Sequence, residues 1–201
     1  VHGGVAAMQR GTPTLDPERA YSMDLALRLR SDHLRGKITA YRNRIANYIY
    51  LNNTGEAADN DLPIFVSAQT DAVLRGMDAG LRVNAASWLQ IGGQVGLLTS
   101  SGEGLGGAED GALPLLPADR LEGYIRWMPG GIGVLEDSHV QLRVKHVLSK
   151  DAAGRYEPFA QFDFGPPFGT ASTEAYTLVN LEAGGTLALG SVPVSVHLTA
   201  E

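Results

Sequence analysis

The stretch that most constrains this chain runs from Asp16 to Leu51, DPERAYSMDLALRLRSDHLRGKITAYRNRIANYIYL. Within it Tyr21, Met23, Leu25, Leu27 and Leu29 alternate with Ser22, Asp24, Ala26, Arg28 and Arg30. Successive side chains of a strand point to opposite faces, so a period of two sustained this long is a strand with one apolar and one polar face, not a helix. Charges in the middle of the polar face need water or partners, because burying an unpaired charge is very costly. Two environments satisfy both faces at once. One is an antiparallel sheet at the surface of a soluble protein, the other a membrane barrel with a polar lumen.

A polar turn at 31–36 follows, and a second strand returns to Leu51. There Tyr41, Ile45, Ile49 and Leu51 fall on one face, while Ile38, Tyr48 and Tyr50 fall on the other. A β-bulge or a protein-covered upper end accounts for that break in phase. The next strand is 64–84, whose lower half alternates, with Met77, Ala79, Leu81 and Val83 against Asp78, Gly80, Arg82 and Asn84; further strands follow at 88–97, 120–127, 139–148, 176–187 and 194–201. The count is about eight strands, an all-β antiparallel arrangement. Val1 to Pro17 reads as loop, punctuated by Gly3, Gly4, Gly11, Pro13 and Pro17.

The connections sort into two kinds. Those at 31–36, 85–87, 129–137 and 188–193 are short; those at 52–62, 100–117 and 150–171 are long. Short turns on one rim and long loops on the other is the pattern of an up-and-down outer-membrane barrel. A soluble sandwich has no reason to sort its loops this way. The polar register points the same way. Asp24, Arg28, Arg30, Asp78, Arg82 and Arg120 share the inward register with Glu122, Arg126, Arg143, Lys145 and Glu182. A wide, hydrated or plugged lumen tolerates such a set, whereas a small barrel filled by side chains would have to pair nearly all of it. Tyr41, Tyr48, Tyr50, Trp88 and Trp127 are candidates for an interfacial aromatic girdle, with plain β-propensity as the alternative.

Composition removes several function classes. The absence of cysteine leaves no disulfide framework and no thiolate metal site. A net charge of −6 with no basic run argues against nucleic acid as a partner. No run approaches the ~18 apolar residues of a membrane-spanning helix, which does not exclude a barrel. Ser100 to Leu113 is glycine-rich, but no Gly-Lys-Ser/Thr follows, so it is not a phosphate loop. Glu56, Asp59 and Asp61 cluster in a polar loop and could hold a hard cation through oxygen. Their spacing fits no EF-hand, and an ordinary solvated loop is the favoured reading. His2 is a second candidate ligand, in the N-terminal loop. No nucleophile–base pair appears at convincing spacing, and the five histidines lie on separate elements, so an enzyme is the least expected reading.

Four segments together carry a family resemblance: 15–56, LPIFVSAQTDAVLRGMDAGLRV (62–83), LPLLPADRLEGYIRW (113–127) and YTLVNLEAGGTL (176–187). In this order and spacing the chain resembles the C-terminal barrel portion of TonB-dependent outer-membrane receptors, nearest to the branch that includes the zinc receptor ZnuD. LPLLPADRL is similar to the family's Leu-Pro-x-x-Pro-x-x-Arg-Leu motif, where a long loop rejoins a strand. His2 falls where relatives carry the histidine of a Pro-His, while Met8 and Gln9 replace their Phe-Glu.

The resemblance implies residues 1–201 as a partial barrel domain, about eight of the roughly 22 strands of a plugged transporter, without the plug and final strands. It implies a bacterial outer-membrane receptor that imports a scarce nutrient, a metal ion or metal chelate, with Zn²⁺ favoured as the transported ligand and no cofactor required. Its partners would be outer-membrane lipid, the ligand, and the TonB–ExbB–ExbD complex acting through the plug. Ligand contacts in this portion would come from His2 and the loops 52–62, 100–112 and 151–171. Two other readings stand beside it: a complete small outer-membrane barrel with an adhesin or structural role, and a soluble β-sandwich binding module.

Overall fold

A computed structural model describes residues 8–58, 62–103, 113, 116–150, 173–189 and 192–200, the side chains at 53, 55, 63 and 189 excepted. The described residues form nine strands and no helix. These are β1 (Met8–Arg10), β2 (Arg19–Arg30), β3 (Leu34–Ala57), β4 (Pro63–Ala86) and β5 (Leu89–Gly102), followed by β6 (Arg120–Ile132), β7 (Leu135–Val147), β8 (Tyr176–Leu189) and β9 (Val192–Ala200). Strands β2 to β9 lie side by side in chain order in one sheet, each antiparallel to the next. The sheet is not closed: β2 and β9 are its two ends. No second sheet covers it among the described residues.

The strands run further than their alternation suggests. Connections shrink to 31–33, 87–88, 133–134 and 190–191 on one rim, against 58–62, 103–119 and 148–175 on the other. Residues 52–57, expected in a polar loop, continue β3 instead. Asn52 and Asn53 remain opposite Val66 and Phe65, so the ladder satisfies their backbone where a loop would need water. At 24 residues each, β3 and β4 are far longer than the ~10 residues that cross a bilayer, and their upper halves stand above the other strands.

That overhang explains β1, which lies within the stretch expected to be loop. β5 accompanies β4 only from Ala86 up to Ala72, which leaves the β4 edge at Ile64–Val66 open on that side. Met8, Gln9 and Arg10 pair there with Ile64, Phe65 and Val66, in parallel. An open strand edge is a row of unpaired N–H and C=O groups, and β1 covers it. The chain then crosses to β2. Thr12 donates its hydroxyl to the Ser67 carbonyl (2.6 Å), and the Glu18 carboxylate, just before the start of β2, accepts the Ile49 N–H (2.6 Å).

Register assigns the faces. Tyr21, Met23, Leu25, Leu27 and Leu29 share one side with Ile38, Leu81, Leu97, Ile91, Leu121, Ile125, Leu142, Val179, Leu181 and Leu198. These residues are uncovered, Met23 at 76% and Leu25 at 75% exposure. Soluble monomers rarely expose apolar patches beyond a few hundred Å². A continuous apolar face across eight strands is therefore a surface made to meet an apolar phase.

The small interior cluster lies on the opposite face, near the rim of long connections. Ala72 and Leu113 are fully buried, with Ile45, Tyr48, Tyr50, Leu74 and Leu116 against them. A bulge produces this grouping. Ile45 is opposite Ala72 but Tyr48 is opposite Thr70, so β3 carries one extra residue there, with Asn47 at φ 60°. An extra residue reverses the phase of everything beyond it. Tyr48 and Tyr50 are thereby brought onto the face of Ile45.

Candidate functional site

The polar face is where chemistry can reside. The eleven charged residues assigned to one register, Asp24, Arg28, Arg30, Asp78, Arg82, Arg120, Glu122, Arg126, Arg143, Lys145 and Glu182, all fall on this single face of the sheet. Arg35 and Lys37 join them, since Arg35 lies between Arg30 and Arg82, and Lys37 between Arg28 and Gly80.

Glycines alternate with the large side chains across this face. Tyr41 lies over Gly76 and Tyr124 over Gly92; at either position a Cβ would collide with the phenol ring. Asp78 and Arg120 approach each other across Gly96 in the same way. Glycine in a strand normally weakens it, but here its missing side chain lets long polar groups lie flat on the sheet. Arg143 pairs with the Glu122 carboxylate, and its guanidinium sits 5.5 Å from the centre of the Tyr124 ring. The Tyr124 hydroxyl donates to Gln90 Oε1 (3.2 Å), and Gln90 donates in turn to Asn84 Oδ1 (2.9 Å). A shallow hollow of about 370 Å³ lies among Arg35, Lys37, Arg82, Gln94, Tyr124 and Arg143, and its charge is mainly positive.

Two histidines and a glutamate gather at the other end of this face. His139, Gly184 and His197 form one cross-strand row over β7, β8 and β9, and Glu182 stands in the adjoining row. His139 is buried, at 7% exposure, and its Nε2 lies 3.0 Å from Glu182 Oε1. The two imidazole centroids are 6.0 Å apart.

The aromatic residues assigned to a girdle divide. Trp127 is on the apolar face opposite Leu89, and Trp88 is exposed in the adjacent β4–β5 turn. Tyr41, Tyr48 and Tyr50 are on the polar face. Tyr41 is opposite Asp24, and the bulge brings in the other two. Tyr21 lies on the apolar face near the long-connection rim and is exposed, and its place in the alternation was the available signal.

Of the proposed ligands, His2, Asp59 and Asp61 lie outside the described residues. Glu56 is exposed near the end of β3, its N–H donating to Thr54 Oγ1 (3.2 Å). His146 is on the apolar face at the end of β7, its Nδ1 2.8 Å from Thr177 Oγ1. The long connection that returns at Leu113 is anchored at several points. Ser100 Oγ accepts the Leu113 N–H (2.9 Å), Asp119 Oδ1 accepts the Leu98 N–H (2.8 Å), and Lys150 donates to the Leu116 and Pro117 carbonyls. Burial lowers the Lys150 pKa from its ordinary value, and the nearby Asp119 carboxylate partly offsets this.

The family described as TonB dependent receptor-like, beta-barrel matches residues 2–195. Compared by sequence with curated proteins, the chain matches none. Among solved structures it is similar to the copper transporter OprC, with a TM-score of 0.68 at 14% identity over 88% of this chain and 25% of that one. It is also similar to the FrpB iron transporter from Neisseria meningitidis, with a TM-score of 0.60 at 10% identity over 96% of this chain and 28% of that one. The siderophore receptor PirA from Acinetobacter baumannii gives 0.58 at 13% identity, over 90% and 27%. At these identities the likeness is one of fold, and the chain spans about a quarter of each neighbour's length.

Proposed function

We propose that this chain, which belongs to the TonB-dependent receptor β-barrel family, forms part of the wall of an outer-membrane transporter that imports a scarce nutrient to the periplasm. The observation that carries this reading is the two-faced sheet itself. Its apolar face is bounded toward both rims. Toward the long connections it ends at a row where Arg42 and Arg75 face each other, and toward the short ones at Trp88 and Trp127. From Arg75 to Ala86 along β4 is about 37 Å at the usual rise, or roughly 26 Å along the membrane normal at a ~45° tilt. That matches the ~25 Å apolar band of barrels of this kind.

On this reading the charged face lines the lumen. Its cations and carboxylates pair with each other, with water and with a plug, which a dry interior would not permit. The long connections face outward and supply ligand contacts, with His2, Glu56, Asp59 and Asp61 as candidates among them. Energy reaches the ligand through the TonB–ExbB–ExbD complex and the plug. The work is binding and gating, with no bond made or broken.

The cargo belongs to the class of metal ions and metal chelates. The resemblance of the sequence to the ZnuD branch favours Zn²⁺, while the similar solved structures are a copper transporter, an iron transporter and a siderophore receptor. The test is uptake by cells carrying the parent receptor, with Zn²⁺, Cu²⁺ and ferric siderophores offered separately, with and without TonB. Accumulation of one cargo that disappears with TonB supports the reading. Accumulation indifferent to TonB, or none for any cargo, would sink it. For zinc in particular, titration of the parent receptor in detergent with and without His2→Ala should show binding that weakens in the variant.

A further inference from the structure

We infer that His139, Glu182 and His197 form a binding site for a divalent transition-metal cation, built into the sheet near the rim of short connections. It is distinct from the long-connection rim where cargo would be captured. Among the described residues these three are the group whose ligating atoms converge, all within 4.8 Å of one another.

The register shows how the site is assembled. His139 on β7 and His197 on β9 stand in one row with only Gly184 of β8 between them. Strands two apart are separated by about 9.6 Å, too far for two imidazoles to meet over an intervening side chain. Gly184 removes that obstacle. A Cβ there would lie 2.7 Å from His139 Cε1 and 2.9 Å from His197 Nδ1, so the space it would fill is already taken by the two rings. Glu182 is two residues from Gly184 on the same strand, hence on the same face, and reaches His139 Nε2 at 3.0 Å.

The donor set defines the ligand class. Two imidazole nitrogens and one carboxylate oxygen suit Zn²⁺ and its neighbours Co²⁺, Ni²⁺ and Cu²⁺; Ca²⁺ and Mg²⁺ prefer all-oxygen shells. With metal–ligand bonds near 2.0–2.1 Å, tetrahedral donors stand about 3.3 Å apart. Closing from 4.8 Å needs a rotation of the exposed His197 side chain, while buried His139 stays in place. Three protein donors leave a fourth position open for water or another group. Loading the site would tie β9 to β7 across β8, and a cation held only by the folded sheet stabilises it by mass action.

The experiment uses the intact parent receptor, stripped of metal in detergent, titrated with Zn²⁺ by calorimetry and with Co²⁺ by visible absorption. Variants are His197→Ala and Glu182→Gln, with His146→Ala on the opposite face as control. His197 is exposed on β9, so its truncation leaves packing intact, and heat-modifiable migration verifies folding. We expect each site variant to lose one equivalent of Zn²⁺ or to bind it at least tenfold more weakly, and to lose the tetrahedral Co²⁺ bands. The control should match the wild type. Unchanged stoichiometry, affinity and Co²⁺ spectrum in both site variants would overturn the assignment, whatever nutrient the receptor carries.

Discussion

Gly92 shows how a single residue shapes the charged face. The Tyr124 ring occupies the space a Cβ would need at Gly92, and Arg143 lies against that ring while pairing with Glu122. Gly92→Ala should therefore destabilise the receptor by about 1–3 kcal/mol through overpacking, and Tyr124→Ala in the same molecule should recover most of that loss. Thermal unfolding of the four combinations in detergent measures the coupling; additive effects would show that the ring is not held where it is seen. Losing Arg143 should matter less. Lys145 lies directly opposite Glu122 and remains available to its carboxylate. Arg143→Met should thus cost about 1 kcal/mol or less in the same assay, as expected for a partly exposed pair with a substitute cation.

Among the elements, β3 departs from simple alternation in its upper half, and its bulge gives the reason. Asn47 has φ 60°, a conformation most non-glycine residues adopt only at a cost and asparagine adopts more readily. Its N–H donates to Asp71 Oδ1 (3.2 Å) and its carbonyl accepts from Gln69 Nε2 (3.0 Å), so the bulge is held from β4. Asn47→Val should destabilise by about 1–2 kcal/mol, while Asn47→Gly should stay within a few tenths. Chemical unfolding of the parent receptor checks both; equal effects would mean that the backbone conformation is not the cause. The bulge also matters for the long connections. By moving Tyr48 and Tyr50 onto the face of Ile45, it builds the wall against which Leu113 is buried and the 103–119 connection returns.

For the whole molecule, the decisive property is the difference between faces. Leu25 is mid-strand on the uncovered apolar face, and its neighbour Ala26 is on the charged face opposite Thr39. In a bilayer, Leu25→Arg should cost about 2–4 kcal/mol, whereas a cation facing a hydrated lumen at Ala26→Arg should cost far less. Refolding into lipid vesicles, with folding free energies for both variants, tests this directly. Equal penalties would remove the membrane assignment of the apolar face. The sorting of connections is a property of the same scale, because strands that only alternate direction place every second turn on the same rim.

The alternation from Tyr21 to Arg30, repeated down the chain, was enough to indicate an antiparallel β protein and to put the charged residues of the alternating stretches on one face. Those properties are local: a period of two is written in neighbouring residues, and a short turn makes neighbours of successive strands. The phase reversal near Asn47 was visible as a conflict between Tyr41 and Tyr48, but a bulge and a covered upper end explained it equally well. Only the pairing of Ile45 with Ala72 and Tyr48 with Thr70 chose between them. β1 was illegible because its three residues, Met8, Gln9 and Arg10, carry no period. They form a strand only because the end of β5 leaves an edge of β4 uncovered. The cluster of His139, Glu182 and His197 was hidden for a related reason. Each residue could be assigned a face from its own strand, but the distance between them depends on the register of β7, β8 and β9, and register is fixed by the assembled sheet.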